Sequence, residues 1–218
     1  MSSDNPSGAG NQQGSRGSSH LVDPLTPQRL HAELLSADAT GLEAYLQGAL
    51  CDGTHSVLHG THRIGQSDPR WLLTLKTAFG LIGNRTWIYR EGNKRQFWVL
   101  ETTAAFLSKR YDPLPLVGTK AALHYVRGYF DADGGMPREP SARLYLQFVQ
   151  KDFESLESVV RLLESWEIHC GRIHNPSPRI DPNYWRMYVR SGSFQRFISL
   201  VGSWHPRKRQ HMYLRMKI

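Results

Sequence analysis

The sequence predicts an α+β fold built from two similar α-β-β-α-β-β-α units related by a pseudo-twofold axis. Three observations lead there. A helical stretch that stops at Asp52-Gly53 is echoed by one that stops at Asp133-Gly134. After each stop the same succession follows: strand character, an amphipathic helix, two more strands and a short helix. Short stretches also match in kind and place. Gln66-Ser67-Asp68 corresponds to Gln150-Lys151-Asp152, and Phe97-Trp98-Val99, leading to Phe106, corresponds to Tyr184-Trp185-Arg186, leading to Phe194. A duplication of this kind places two like elements at the axis.

Taken in order, residues Met1 to about Ser19 are rich in Ser, Gly, Asn and Gln without periodicity and read as a disordered tail, placed at residues 1–22. Leu25–Leu35 reads as a short helix with Pro27 near its start. Thr40 and Glu43 form a capping box before a helix over Leu42–Cys51. Strand character follows at His55–Leu58 and Thr61–Gln66. Asp68-Pro69 opens a helix over Pro69–Leu81. Strands at Thr86–Arg90 and Gln96–Leu100 are joined by a turn at Glu91-Gly92-Asn93. A short helix near Ala104–Lys109 closes the first unit, residues 23–112. The second unit, residues 113–218, reads as a helix over Lys120–Phe130 and a strand over Arg143–Val149. Asp152 caps a helix over Phe153–Trp166, with Leu156, Val159, Val160 and Leu163 on one face. Strands at Gly171–His174 and Tyr184–Val189 and a helix over Phe194–Val201 complete it. Trp71, Trp98, Trp166 and Trp185 are expected in the core.

Composition narrows the function. The 218-residue chain carries 27 Lys+Arg against 19 Asp+Glu, a net charge of +8. The excess is uneven: residues 1–112 hold 11 basic against 10 acidic side chains, so the second half carries nearly all of it. Such an excess fits a polyanionic partner, most often nucleic acid. No run approaches the roughly 18–20 apolar residues that cross a bilayer, and the N-terminus lacks the basic-then-apolar pattern of a secretory signal. A soluble, intracellular protein without a membrane partner is expected. Two cysteines, Cys51 and Cys170, are too few for a disulfide framework or a zinc site. The ten histidines are scattered, without the His/Glu spacing of a helical zinc site.

The stretch Val126-Arg127-Gly128-Tyr129-Phe130-Asp131-Ala132-Asp133-Gly134 closely resembles the motif of the LAGLIDADG homing endonucleases, and Tyr45-Leu46-Gln47-Gly48-Ala49-Leu50-Cys51-Asp52-Gly53 resembles it more loosely. The resemblance covers roughly residues 40–214. It implies two antiparallel, saddle-shaped sheets with the motif helices at the interface, small residues Gly48, Ala49 and Gly128 where those helices meet, and paired aspartates at their feet. The catalytic set it implies is Asp52, Asp133, Gln66, Gln150 and Lys208, the last in a basic loop, Trp204–Arg209. Metal would be held by Asp52 and Asp133 with the backbone carbonyls of Cys51 and Ala132. An oxygen-rich site of this kind suits Mg²⁺, with Mn²⁺ as a substitute. Asp131 is left as a solvated carboxylate or a hydrogen-bonding group within the motif. The first half offers only Lys109 and Lys120 as weak counterparts of Lys208. One departure stands out: Gly128 precedes Asp133 by five residues, whereas Gly48 precedes Asp52 by four. Either the small residue is displaced or the first helix is irregular.

The strands look like a surface that reads DNA. Arg143, Tyr145 and Gln147 alternate with Leu144, Leu146 and Phe148. Arg186, Tyr188 and Arg190 alternate with Met187 and Val189, and Thr61 and Arg63 alternate with His62 and Ile64. Arg and Gln read guanine and adenine edges in the major groove. Arg207 and Arg209 extend the basic surface. The leading reading is a monomeric, Mg²⁺-dependent endonuclease that cuts a long, nearly asymmetric duplex site. The alternative is a relative without cleavage, acting as an intron-splicing RNA maturase or a DNA-binding regulator.

Overall fold

The computed structural model describes residues 26–92, 97–139 and 141–216. The expected tail at residues 1–22, Leu25 of the first expected helix, Asn93 of the expected turn and Gln96 of the expected strand lie outside the described residues.

The centre of the molecule is a pair of helices, α2 (Ala39–Ala49) and α4 (Lys120–Asp133). Asp38 caps α2 by accepting the Gly41 N–H, at 2.7 Å, so the helix begins before Thr40 and the expected capping box falls inside it. Thr119 caps α4 in the same way, through the Ala122 N–H. The two helices touch backbone to backbone. A Cβ on Gly48 would lie 2.1 Å from the Tyr125 carbonyl oxygen, and one on Gly128 would lie 1.9 Å from that of Tyr45. The reciprocal contact is what a twofold relation requires.

The unequal glycine-to-aspartate spacing has a structural answer. Whereas α4 stays α-helical through Asp133, the first motif helix finishes in a 3-10 turn over Leu50–Asp52. Five α steps from Gly128 rise about 7.5 Å, and one α step plus three 3-10 steps from Gly48 rise about the same. Tighter winding thus replaces the missing residue, and the first helix is the irregular one.

Each motif helix supports one sheet. Strands β1 (Thr54–Ser56), β2 (Thr61–Gln66), β3 (Thr86–Glu91) and β4 (Phe97–Thr102) form an antiparallel sheet in the order β1-β2-β4-β3. Strands β5 (Gly134–Gly135), β6 (Gln147–Gln150) and β7 (Trp185–Tyr188) form the second, in the order β5-β6-β7. The registers correspond: Gln66 lies opposite Trp98, and Gln150 opposite Trp185. Helix α3 (Arg70–Leu81) covers the first sheet, and α5 (Phe153–Glu164) covers the second. Helices α6 (Phe194–Leu200) and α7 (Pro206–Met216) complete the second half.

The two cores interlock. Trp71, Leu72, Leu75, Phe79 and Leu100 fill the first, and Phe130, Leu146, Phe148, Met187 and Phe197 the second. Trp204, from the far end of the chain, is buried in the first core. Ala132 of α4 packs on the first core, while Cys51 packs on the second. Helix α1 (Pro27–Ser36), ahead of the first motif helix, is held by Glu33, which accepts 2.7 Å bonds from both terminal nitrogens of Arg209 and a 3.2 Å bond from Trp204 Nε1.

Four expectations are corrected. Ala104–Lys109 is a pair of turns, not a helix. Its backbone bonds elsewhere: the Gln47 amide takes both the N–H and the carbonyl of Ser108, and Thr102 Oγ1 takes the Ala104 N–H, which competes with helical pairing. Gly171–His174 is reduced to two isolated bridges, Cys170–Val189 and His174–Arg186. The strand expected over Arg143–Val149 is regular only from Gln147, although the Val189 N–H still reaches the Leu146 carbonyl. The basic segment around Lys208 is no loop, because Pro206 starts α7 there.

Candidate active site

At the foot of the paired helices the chain brings together two matching sets of side chains. Asp52 ends the 3-10 turn and Asp133 ends α4, each followed by glycine. The amide of Gln66, the last residue of β2, donates to Asp52 Oδ2 at 3.4 Å, and that of Gln150, the last residue of β6, donates to Asp133 Oδ2 at 2.9 Å. Gln150 is fixed at its other end too, because its Oε1 accepts the Lys151 N–H at 2.7 Å.

A lysine closes each set. Lys208 Nζ donates to the carbonyls of Phe130, Asp131 (2.9 Å) and Gly134 (2.7 Å). Lys109 Nζ donates to the carbonyls of Leu50 (3.1 Å), Cys51 (3.4 Å) and Gly53 (2.7 Å). The last carbonyls of a helix lack partners within it, and a cation there also opposes the negative end of the helix dipole. Lys109, not Lys120, is therefore the counterpart of Lys208. Lys120 sits at the opposite end of α4. Lys208 is buried, so it does not offer its amine to a phosphate as a surface lysine would, and burial pushes its pKa down to about 8.

The acids feel one another. Burial, and then the charge of Asp133, push the Asp52 carboxyl up to about 6. Burial likewise raises Asp133, against the pull of the Cys51 thiol, Lys208 and Gln150. Cys51 is pushed well above the usual thiol range by burial and by both carboxylates; its thiol packs on the second core and donates to the Tyr129 carbonyl. Two carboxylates held close enough to repel fit a cation between them. Among the described residues no cluster of three or more His, Cys, Asp or Glu side chains assembles, so side-chain ligation rests on the aspartate pair. Of the expected backbone ligands, the Ala132 carbonyl belongs to the last turn of α4, while the Cys51 carbonyl faces Lys109. The donors are all oxygens, the set Mg²⁺ prefers.

Asp131 is neither solvated nor confined to its own motif. Fully buried, it accepts from Tyr45 Oη across the helix pair (2.9 Å), from Ser203 Oγ, and from the backbone N–H groups of Trp204 (2.9 Å) and His205 (3.0 Å). Burial raises its pKa against Lys208 and these donors. Trp71 Nε1 in turn donates to Tyr45 Oη at 3.0 Å. The network locks the segment that precedes α7, and hence Lys208, to both motif helices. Leu50 occupies the equivalent place in the first motif, so nothing in the repeat announced it. Replacing Tyr45 with Phe removes one donor and one acceptor from a dry site and should cost about 1–3 kcal/mol. Urea unfolding would show this as a lower midpoint at unchanged slope.

The residues expected to read DNA divide. Tyr145, Gln147, Arg186 and Tyr188 share the open face of the second sheet, and Arg143 is exposed beside them. Thr61 is buried, and Arg63 pairs with Glu91. Arg190 turns its Nε to the Cys170 carbonyl. Arg207 is exposed on α7, whereas Arg209 is engaged by Glu33.

Comparison with known proteins agrees with this architecture. Residues 120–202 match the model of the LAGLIDADG-like domain family. No curated protein matches the sequence. Among solved structures, I-DmoI in complex with DNA and Mn is 14% identical, with 76% of this chain and 98% of that one covered at a TM-score of 0.57. The N-terminal LAGLIDADG domain of DUF199/WhiA is 16% identical, with 79% and 88% covered at 0.60. Full-length DUF199/WhiA from Thermatoga maritima is 15% identical, with 88% and 66% covered at 0.60. The chain thus carries a LAGLIDADG-like domain at residues 120–202 and, over both halves, shares the LAGLIDADG fold of these structures.

Proposed function

We propose that the protein is a metal-dependent endodeoxyribonuclease that acts as a monomer on a long duplex site, using Mg²⁺ or in its place Mn²⁺. The observation that carries this reading is the doubled set of Asp, Gln and Lys at one point of the fold, one set for each strand. The solved I-DmoI complexes contain DNA and Mn, which supports it. Asp52 and Asp133, with the Ala132 carbonyl, would hold the metal. When bound, it lowers the pKa of a water and offsets charge on the leaving oxygen. Gln66 and Gln150 are positioning residues that hold each carboxylate in place. Lys109 and Lys208 each neutralise the helix end from which one carboxylate projects.

One observation favours a binding-only relative, a DNA-binding regulator or an RNA maturase. Each lysine has three protons and three carbonyl partners, so neither has one left for a scissile phosphate. The readings separate in one experiment. The purified chain is incubated with Mg²⁺ and a library of randomised duplex sites, beside Asp133→Asn. Site-specific double-strand cuts by the parent alone establish the nuclease. Tight binding without cutting in Mg²⁺ or Mn²⁺ establishes the regulator, and preference for a structured intron RNA establishes the maturase.

A further inference from the structure

The two sheets present open faces of opposite chemistry. In the first, Ile64 and Leu100 pair on the side packed against the core, so the alternate positions face outward. Arg63 lies opposite Glu101, Trp87 also opposite Glu101, and Glu91 opposite Phe97. The outward set is thus aromatic and acidic. Trp87, Tyr89 and Phe97 are 50%, 37% and 38% exposed. Phe97 lies over Gly65, where a Cβ would meet its ring at 2.4 Å. Glu101 accepts from Tyr89 Oη at 2.7 Å. Arg63, the one basic side chain in the strands of this face among the described residues, is ion-paired across β4 to Glu91.

The second face differs. None of the described strand residues of β5, β6 and β7 is acidic. Arg186 is held by two neutral phenols, Tyr188 Oη at 3.1 Å and Tyr184 Oη at 3.2 Å, and keeps its full charge. Beside it, Gln147 lies opposite Tyr188.

These faces suit different base edges. Guanine offers only acceptors in the major groove, O6 and N7, and a carboxylate repels them. Cytosine offers its N4 amino donor, which a carboxylate accepts, and thymine offers a methyl group that an aromatic side chain covers. We infer that the first sheet reads its half-site through the pyrimidine edges of one strand, with cytosine amino groups at Glu91 and Glu101 and thymine methyls at Trp87 and Phe97, while the second sheet reads the guanine edges of its half through Arg186. The inference rests on the duplex-DNA reading above and adds the sequence class of each half.

The test is selection from a random duplex pool by the full Asp133→Asn chain, which leaves bound DNA uncut, repeated with Glu91→Gln and Glu101→Gln added together, and separately with Arg186→Gln. The expected result is pyrimidines on one strand of one half. The double glutamine change relaxes its cytosine preference about tenfold or more, and also raises affinity for unselected DNA because Arg63 is released and two like charges are gone. Arg186→Gln leaves that half alone and relaxes guanine preference in the other. An unchanged selected sequence after the double change overturns the inference, as does loss of binding when the guanines of the half under the first sheet are replaced by 7-deazaguanine, which removes the N7 acceptor and keeps every cytosine amino group. If no duplex is enriched by any of the three proteins, the DNA-binding reading itself falls, and this one with it.

Discussion

Asp52→Asn should abolish cleavage and, at the same time, make the protein more stable at neutral pH. The carboxyl sits near 6 in the folded chain because burial and Asp133 disfavour its charge. A carboxyl that holds its proton more tightly folded than unfolded costs stability above its folded pKa, and the cost disappears below the ordinary carboxylate range. With its partial exposure and solvent screening allowed for, the gain from removing the charge is about 1 kcal/mol, or a few degrees in Tm. Thermal unfolding should therefore show Asp52→Asn above the parent at pH 7.5, with the gap mostly closed at pH 4. Added Mg²⁺ should raise the parent's Tm more than the variant's, since a ligand that binds only the folded state stabilises it by mass action. A variant less stable than the parent at pH 7.5 would mean that the two carboxylates do not repel. The same titration predicts that cleavage at limiting Mg²⁺ falls as pH drops through about 6, because a proton then competes for the site.

Gly128→Ala should be the most damaging change of a single methyl group. Its Cβ would sit 1.9 Å from the Tyr45 carbonyl oxygen and 2.8 Å from the Ala49 nitrogen, both backbone atoms of the partner helix. Neither can swing aside like a side chain, so the helices must separate. A loss of about 3 kcal/mol follows, at the upper end for overpacking, with Tm lower by about 6–12 °C. The aspartates at the helix ends separate with them, so cleavage falls as well. Gly80→Ala is the control: it lies in helix α3, its Cβ meets nothing within 4 Å, and it should gain about 0.5–1 kcal/mol. Equal stability of the two alanine variants would refute the close helix crossing.

Much of this was legible in the residues. The helix stops at Asp52-Gly53 and Asp133-Gly134, the matched Gln66 and Gln150, and the apolar alternation around Phe148 and Met187 are local signals, and the fold follows them. What escaped depends on contacts between distant segments. Asp131 reads as an ordinary acid until residues 203–205 fold over it, some seventy positions on. Lys109 follows the last strand of its half as Lys208 follows that of the other, which is a usable signal. The segment before Lys109, however, reads as a helix, because the Gln47 amide that unwinds it is sixty-one residues away. Helix α7 was masked by its own charge: Arg207, Lys208 and Arg209 look like a solvated loop, yet Lys208 points inward and Arg209 meets Glu33.

The 3-10 turn over Leu50–Asp52 also bears on how two copies of one unit drift apart. A deletion in the middle of a motif helix would rotate every later residue by about 100° and turn its apolar stripe away from its partner. A deletion absorbed in the last turn leaves the helix contact at Gly48 untouched and still delivers the acid to its place. The end of the helix thus acts as a buffer for length, and the symmetry of the site survives although the symmetry of the sequence does not.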